Sequence, residues 1–154
     1  MKTKISITHN YLLNNIKVLI TALRGDKPKT MINELSKEIH EINKKNGFYE
    51  DEKNIGEMLA LIHSEVSEAL ECDRKGKYVE DETALPWALS TADDSHFYQE
   101  HFPEKIKDTF EDELADIMIR VMDLAAYKGV DLEAHIKAKM RYNSFRPYKH
   151  GKKY

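Results

Sequence analysis

Two pairs of carboxylates, Glu65 with Glu68 and Glu113 with Asp116, stand three residues apart in stretches that are otherwise periodically apolar. An α-helix turns by about 100° per residue, so each pair leaves its helix on one side, roughly 60° apart. Met58, Ile62, Val66 and Ala69 occupy the arc beside the first pair. Phe110, Leu114, Ile117, Val121 and Leu124 stand in the same relation to the second. Two helices packed through those arcs would bring four carboxylates to one seam. Clustered anions repel unless a cation lies between them, and an all-oxygen donor set suits a hard divalent ion, Mg²⁺ or Mn²⁺. A lone Glu-x-x-Glu is ordinarily a solvated helix face. These two differ in bordering an apolar stripe, where a carboxylate is costly unless compensated.

The elements that must position them follow from periodicity. A first helix is expected from about Thr8 to Leu23, with Tyr11, Leu12, Ile16, Leu19, Ile20 and Leu23 at helical spacing. Arg24-Gly25-Asp26-Lys27-Pro28 breaks it as a turn. A second, about Thr30 to Lys45, carries the narrow stripe Ile32, Leu35, Ile39 and Ile42 and is closed by Asn46-Gly47. The short connection that follows implies an antiparallel neighbour. That neighbour, about Asn54 to Arg74, holds Glu65 and Glu68, with Asn54 as N-cap and Glu57 completing a capping-box pattern.

Between Lys75 and Asp108 the periodicity fails. Gly76, Pro86 and Pro103 mix with Tyr78, Trp87, Phe97, Tyr98 and Phe102, a segment of the length used for a lid, a binding loop or a subunit contact. The next helix, about Lys105 to Lys128, holds Glu113 and Asp116. Asp131 caps a last one, about Leu132 to Ser144, stopped before Pro147. The tail from Tyr148 to Tyr154 is basic. Nothing reads as a strand of useful length. The expectation is a single all-α domain over residues 1–154, with four principal helices, an N-terminal extra, an insertion at about 75–108 and a basic tail at 147–154.

Composition narrows the function classes. The net charge of −3 gives no electrostatic case for gripping a nucleic-acid backbone. A single cysteine, Cys72, rules out an internal disulfide and a thiolate metal cluster and fits a reducing compartment. Met1-Lys2-Thr3-Lys4-Ile5 is followed by polar residues rather than a signal-peptide apolar run, and no stretch has the length to span a bilayer. The expected location is the cytoplasm, with neither membrane nor nucleic acid as partner.

The stretch from Gly56 to Glu71, with His63-Ser64-Glu65-Val66-Ser67-Glu68 at its centre, followed by Glu113-Leu114-Ala115-Asp116-Ile117, resembles the MazG-like nucleoside triphosphate pyrophosphohydrolases. That all-α superfamily also holds dimeric dUTPases, dCTP pyrophosphatases and phosphoribosyl-ATP pyrophosphohydrolases. Its signature is Glu-x-x-Glu on one helix and Glu-x-x-Asp on the next, and Lys139-Met140-Arg141-Tyr142-Asn143-Ser144-Phe145-Arg146-Pro147 resembles its later block. The likeness runs from about Ile32 to Arg146, and the ordered combination is more specific than any piece. It implies a four-helix-bundle-like core of about residues 30–146 and Mg²⁺ held by Glu65, Glu68, Glu113 and Asp116, with Mn²⁺ as a substitute. It also implies a nucleotide met by Lys139 and Asn143. The interval between the two acidic motifs is longer here than in many compact relatives, which leaves the walls of the substrate pocket undetermined.

Cleavage between α- and β-phosphates needs charge neutralisation and an in-line water, which Mg²⁺ can serve. One of the acids, a glutamate of the first pair by preference, would orient or deprotonate the water instead of ligating. Lys139, Asn143 and Arg146, spaced four and three apart, share a helical face suited to phosphate; the competing explanation is a basic helix end complementing the macrodipole. His63 lies off the acidic face and reads as structural. Arg120 reads as a partner of Asp116 or a phosphate contact, Asp123 as too far along for direct ligation, Glu71 as solvated or as an acid standing behind the metal ligands, and Cys72 as a structural thiol. Trp87 is either a base-stacking residue or an interface anchor.

The expected activity is therefore Mg²⁺-dependent conversion of a nucleoside triphosphate to monophosphate and pyrophosphate in nucleotide-pool housekeeping. A homodimer or dimer of dimers is expected, burying leftover apolar stripes symmetrically. The alternatives are a non-catalytic helical interaction module with a degenerate acidic seam, and a dinuclear iron carboxylate bundle. The last is disfavoured because no glutamate is followed by histidine three residues on.

Overall fold

The computed structural model describes residues 31–81, 83–90 and 97–148. The expected helix from Thr8 to Leu23, the turn from Arg24 to Pro28, the basic tail beyond Tyr148 and the Trp87 side chain lie outside the described parts. Among the described residues there are six α-helices, one π-helical turn and no strand, so the architecture is all-α. In chain order they are α1 (Met31–Lys45), α2 (Ile55–Lys75), α3 (Ala84–Ser90), the π-helical turn (Phe97–His101), α4 (Phe102–Lys105), α5 (Phe110–Tyr127) and α6 (Leu132–Ser144). No described helix is long and apolar enough to cross a membrane.

Local chemistry sets the boundaries. Asn54 Oδ1 accepts the Gly56 and Glu57 backbone N–H groups at 2.8 and 3.4 Å, starting α2 where the sequence places its cap. Gly76 ends α2 at φ 65°, a left-handed conformation that disfavours a β-carbon. Asp131 caps α6 through the Ala134 N–H. The one shifted boundary is α5, which begins at Phe110 rather than near Lys105. Ile106, Lys107 and Asp108 form a turn with Asp108 at φ 58°, and Thr109 then caps α5 by accepting the Asp112 N–H. Phe102–Lys105 is consequently a separate short helix with Pro103 in its first turn.

α5 is the hub: α1 and α2 both pack on it, and α6 packs on α1. α2 and α5 run antiparallel. The Lys53 N–H meets the Tyr127 hydroxyl at one end, and the Phe110 N–H donates to the Lys77 carbonyl at 2.9 Å at the other. Apart from Met122, the residues buried on these two helices are small or polar: Ala69, Cys72 and Glu65 on α2; Ala125, Glu113 and Asp123 on α5. The insertion has its own small apolar cluster of Ala84, Ile106 and Phe102. Its ends tie back through Cys72 Sγ to the Asp108 carbonyl and through Tyr78 against Phe110.

α1 is rotated from the expected stripe. Leu35 and Ile42 are exposed, whereas Ser36 is buried and His40 and Asn43 turn toward α5. The cause is Asp123, a buried carboxylate on α5 that needs hydrogen-bond donors and finds them on α1. At its other end α1 is held by α6. Glu133, buried, accepts the Ile32 N–H at the positive end of the α1 dipole, and Asn33 donates to Asp131 at 2.7 Å.

Candidate metal centre

The antiparallel register of α2 and α5 sets Glu65 and Glu68 against Glu113. One carboxylate oxygen from each lies within 4.8 Å of the other two. Glu65 and Glu113 are buried and Glu68 is exposed, so the group is walled on one side and open on the other. Glu113 is 4% exposed, and its Oε2 has no hydrogen-bond partner. Burial first, then the negative charges of Glu68, Glu65 and Asp116, push its pKa up to about 7. A carboxyl group in that position either keeps its proton or is compensated by a cation among the three glutamates. A hard divalent ion fits this all-oxygen donor set.

Asp116 stands one turn beyond Glu113, half-buried and outside the group of three. Its pKa is also raised, by burial and then by Asp112 and Glu65, with Arg120 opposing. It faces the neighbouring space with Arg120, which pairs across the seam with Glu65 at 2.6 Å rather than along its own helix with Asp116.

That neighbouring space is a cavity of about 280 Å³ between α1, the loop after it, and the facing ends of α2 and α5. Asp116 and Arg120 form its edge on the metal side. Asn43, Tyr49 and Asp123 lie deeper, and Phe48 and Lys53 flank it from the loop. Asp123 binds His40 Nδ1 at 2.7 Å through Oδ1 and Asn43 Nδ2 at 2.8 Å through Oδ2. The Tyr49 hydroxyl is buried beside Asp123, and burial followed by its hydrogen bond to that carboxylate raises its pKa strongly. His40, Tyr49 and Tyr127 pack ring on ring behind this polar floor.

Lys139, Asn143 and Arg146 are not brought to the carboxylates within the chain. α6 docks on α1 through its N-terminal turn, leaving Lys139 and Asn143 exposed and Arg146 half-buried on the far half. Lys139 Nζ and the Arg146 guanidinium lie over the Tyr142 ring, at 4.9 and 5.9 Å from its centroid. His63 is exposed, and Glu71 pairs with Arg74 and Lys75 on the surface. Cys72 is buried, with its thiol pKa raised chiefly by burial.

Sequence reasoning passed over His40, Asn43, Tyr49 and Lys53. The signal for the first two is their spacing of three on one helix, masked by the apolar stripe of Ile32, Leu35, Ile39 and Ile42, of which only Ile32 and Ile39 are half-buried. Neither a family model, nor a curated protein, nor a solved structure matches the chain.

Proposed function

We propose that the chain is a Mg²⁺-dependent nucleoside triphosphate pyrophosphohydrolase, releasing nucleoside monophosphate and pyrophosphate, of the kind its two acidic motifs resemble. The observation that carries this reading is Glu113: a buried carboxylate with an unpartnered oxygen, aimed at two more glutamates on the facing helix. A structural acid of that burial would be paired with a side chain or a backbone N–H. Glu65, Glu68 and Glu113 would hold the ion, with Asp116 completing the set from the cavity side. Mg²⁺, or Mn²⁺ in its place, supplies neutralisation of phosphate oxygens and acidification of water.

The remaining tasks fall to the chain itself. Glu68, the exposed member, is open to an incoming water and would orient it through the carboxylate oxygen it does not give to the ion. Arg120 and Lys53 offer positive charge at the edge of the cavity, suited to phosphate oxygens. Such an activity belongs to nucleotide-pool housekeeping in the cytoplasm.

The same reading includes a homodimer. Leu59, Val66 and Leu70 on α2 and Leu114 and Met118 on α5 are all 44% exposed or more. By helical geometry the two rows fall on the same side of the antiparallel pair. A second copy laid against that side would supply two more helices and close a four-helix bundle.

The test is to incubate purified protein with each common ribo- and deoxyribonucleoside triphosphate and Mg²⁺ and to resolve the products. Monophosphate with pyrophosphate is expected. Diphosphate with orthophosphate refutes cleavage between the α- and β-phosphates, and no turnover of any nucleotide favours a helical interaction module. Glu65→Gln and Asp116→Asn should each abolish turnover with helicity retained, and an active variant removes its residue from the site.

A further inference from the structure

Asp123 fixes what the floor of the cavity can recognise. Its Oδ2 accepts from Asn43 Nδ2 at 2.8 Å, which sets the orientation of the amide. Asn43 lines the cavity, and with Nδ2 committed its Oδ1 is the group left for a ligand: an acceptor, held in one orientation. Asp123 itself lines the cavity and adds acceptor capacity beyond the two bonds it makes. The Tyr49 hydroxyl is buried against Asp123, which leaves Asn43 Oδ1 and Asp123 as the polar groups of the floor. Phe48, exposed at the rim, and Tyr49 offer aromatic surface for a flat ring.

We propose that this cavity receives the base of the nucleotide and selects a six-membered ring bearing an exocyclic amine, as in cytosine or adenine. The amine matches Asn43 Oδ1 and Asp123. Uracil and hypoxanthine replace the amine by a carbonyl oxygen, setting acceptor against acceptor over a buried floor. The volume, about 280 Å³, suits a base rather than a whole nucleotide, which leaves the phosphates toward Asp116, Arg120 and the three glutamates. This inference rests on the nucleotide-hydrolase reading for its substrate.

Two matched pairs test it, since CTP with UTP and ATP with ITP differ in this pattern. The expected result is a kcat/KM favouring the amino member of at least one pair by roughly tenfold or more. The pair that responds decides between one ring and two. Asn43→Leu, checked for folding by circular dichroism, should bring that ratio close to one. Turnover that favours UTP and ITP, or that ignores the difference, overturns the proposal while leaving pyrophosphohydrolysis intact. If no triphosphate is hydrolysed, calorimetry with CMP, UMP, AMP and IMP decides. Preferential binding of CMP or AMP sustains the pocket without the chemistry, and no binding of any of the four overturns it.

Discussion

Arg120 Nε sits 2.6 Å from Glu65 Oε1, so a guanidinium from α5 partners a carboxylate of α2 that belongs to the candidate metal group. Glu65 is almost wholly buried and Arg120 is partly exposed, which makes the arginine the partner free to leave. Without a metal it supplies the positive charge for one of three clustered glutamates. Arg120→Ala should therefore lower metal-free stability by about 2 kcal/mol, the scale of a lost hydrogen bond to a charged group. Saturating Mg²⁺ should recover most of that loss, because an ion between the glutamates compensates the same charge. Urea denaturation with and without Mg²⁺ measures both, and a loss of equal size in the two conditions makes Arg120 a purely structural partner.

Glu113→Gln separates binding from folding. The substitution keeps the shape of a buried side chain while removing a charge that three neighbouring acids oppose. Metal-free stability at pH 8 should stay level or rise. The upward shift of the melting temperature by Mg²⁺ should vanish, and turnover with it. A Mg²⁺-induced shift as large as that of the parent protein would take Glu113 out of the ligand set.

The pH dependence of metal-free stability has a defined sign. Glu113 has an ordinary value of 4.5 when unfolded and about 7 in the fold. Between those values the folded chain holds a proton that the unfolded chain has lost, so stability falls as pH rises through that window and levels above pH 7. The raised values of Asp112 and Asp116, both caused first by burial, act in the same direction. Mg²⁺ should flatten or reverse the slope, since an ion favours the deprotonated carboxylates. Denaturation midpoints from pH 5 to 8, in chelator and in Mg²⁺, carry the comparison; a midpoint that rises with pH in chelator contradicts the assignment.

The helices were legible because their boundaries rest on local chemistry: Asn54, Gly76 and Asp131 act within a few residues of themselves. The pairing of Glu65 and Glu68 with Glu113 was legible because a spacing of three on each helix leaves few ways to pack. What lay beyond the sequence depends on long-range partners. The rotation of α1 follows from Asp123, some eighty residues away from His40 and Asn43. The cross-seam choice of Arg120 follows from the antiparallel register, and periodicity does not encode it. Lys139, Asn143 and Arg146 share a helical face, but a shared face does not say what it meets.

The exposed apolar rows on α2 and α5 give the last prediction. Val66 and Leu70 are each 48% exposed, on a helix whose buried face holds Glu65, Ala69 and Cys72 instead. Apolar side chains scattered singly over a surface need no partner, but aligned rows on two adjoining helices form a contiguous patch, and such patches mark contact sites. Light scattering should return twice the mass of one chain or a multiple of it. Leu70→Lys places a charge at the C-terminal end of the α2 row without touching the carboxylates, and should give a monomer of unchanged helicity and lower thermal stability. A parent protein that is monomeric at micromolar concentration, or a Leu70→Lys variant with the parent's mass, would mean that these rows meet solvent and that the bundle closes in some other way.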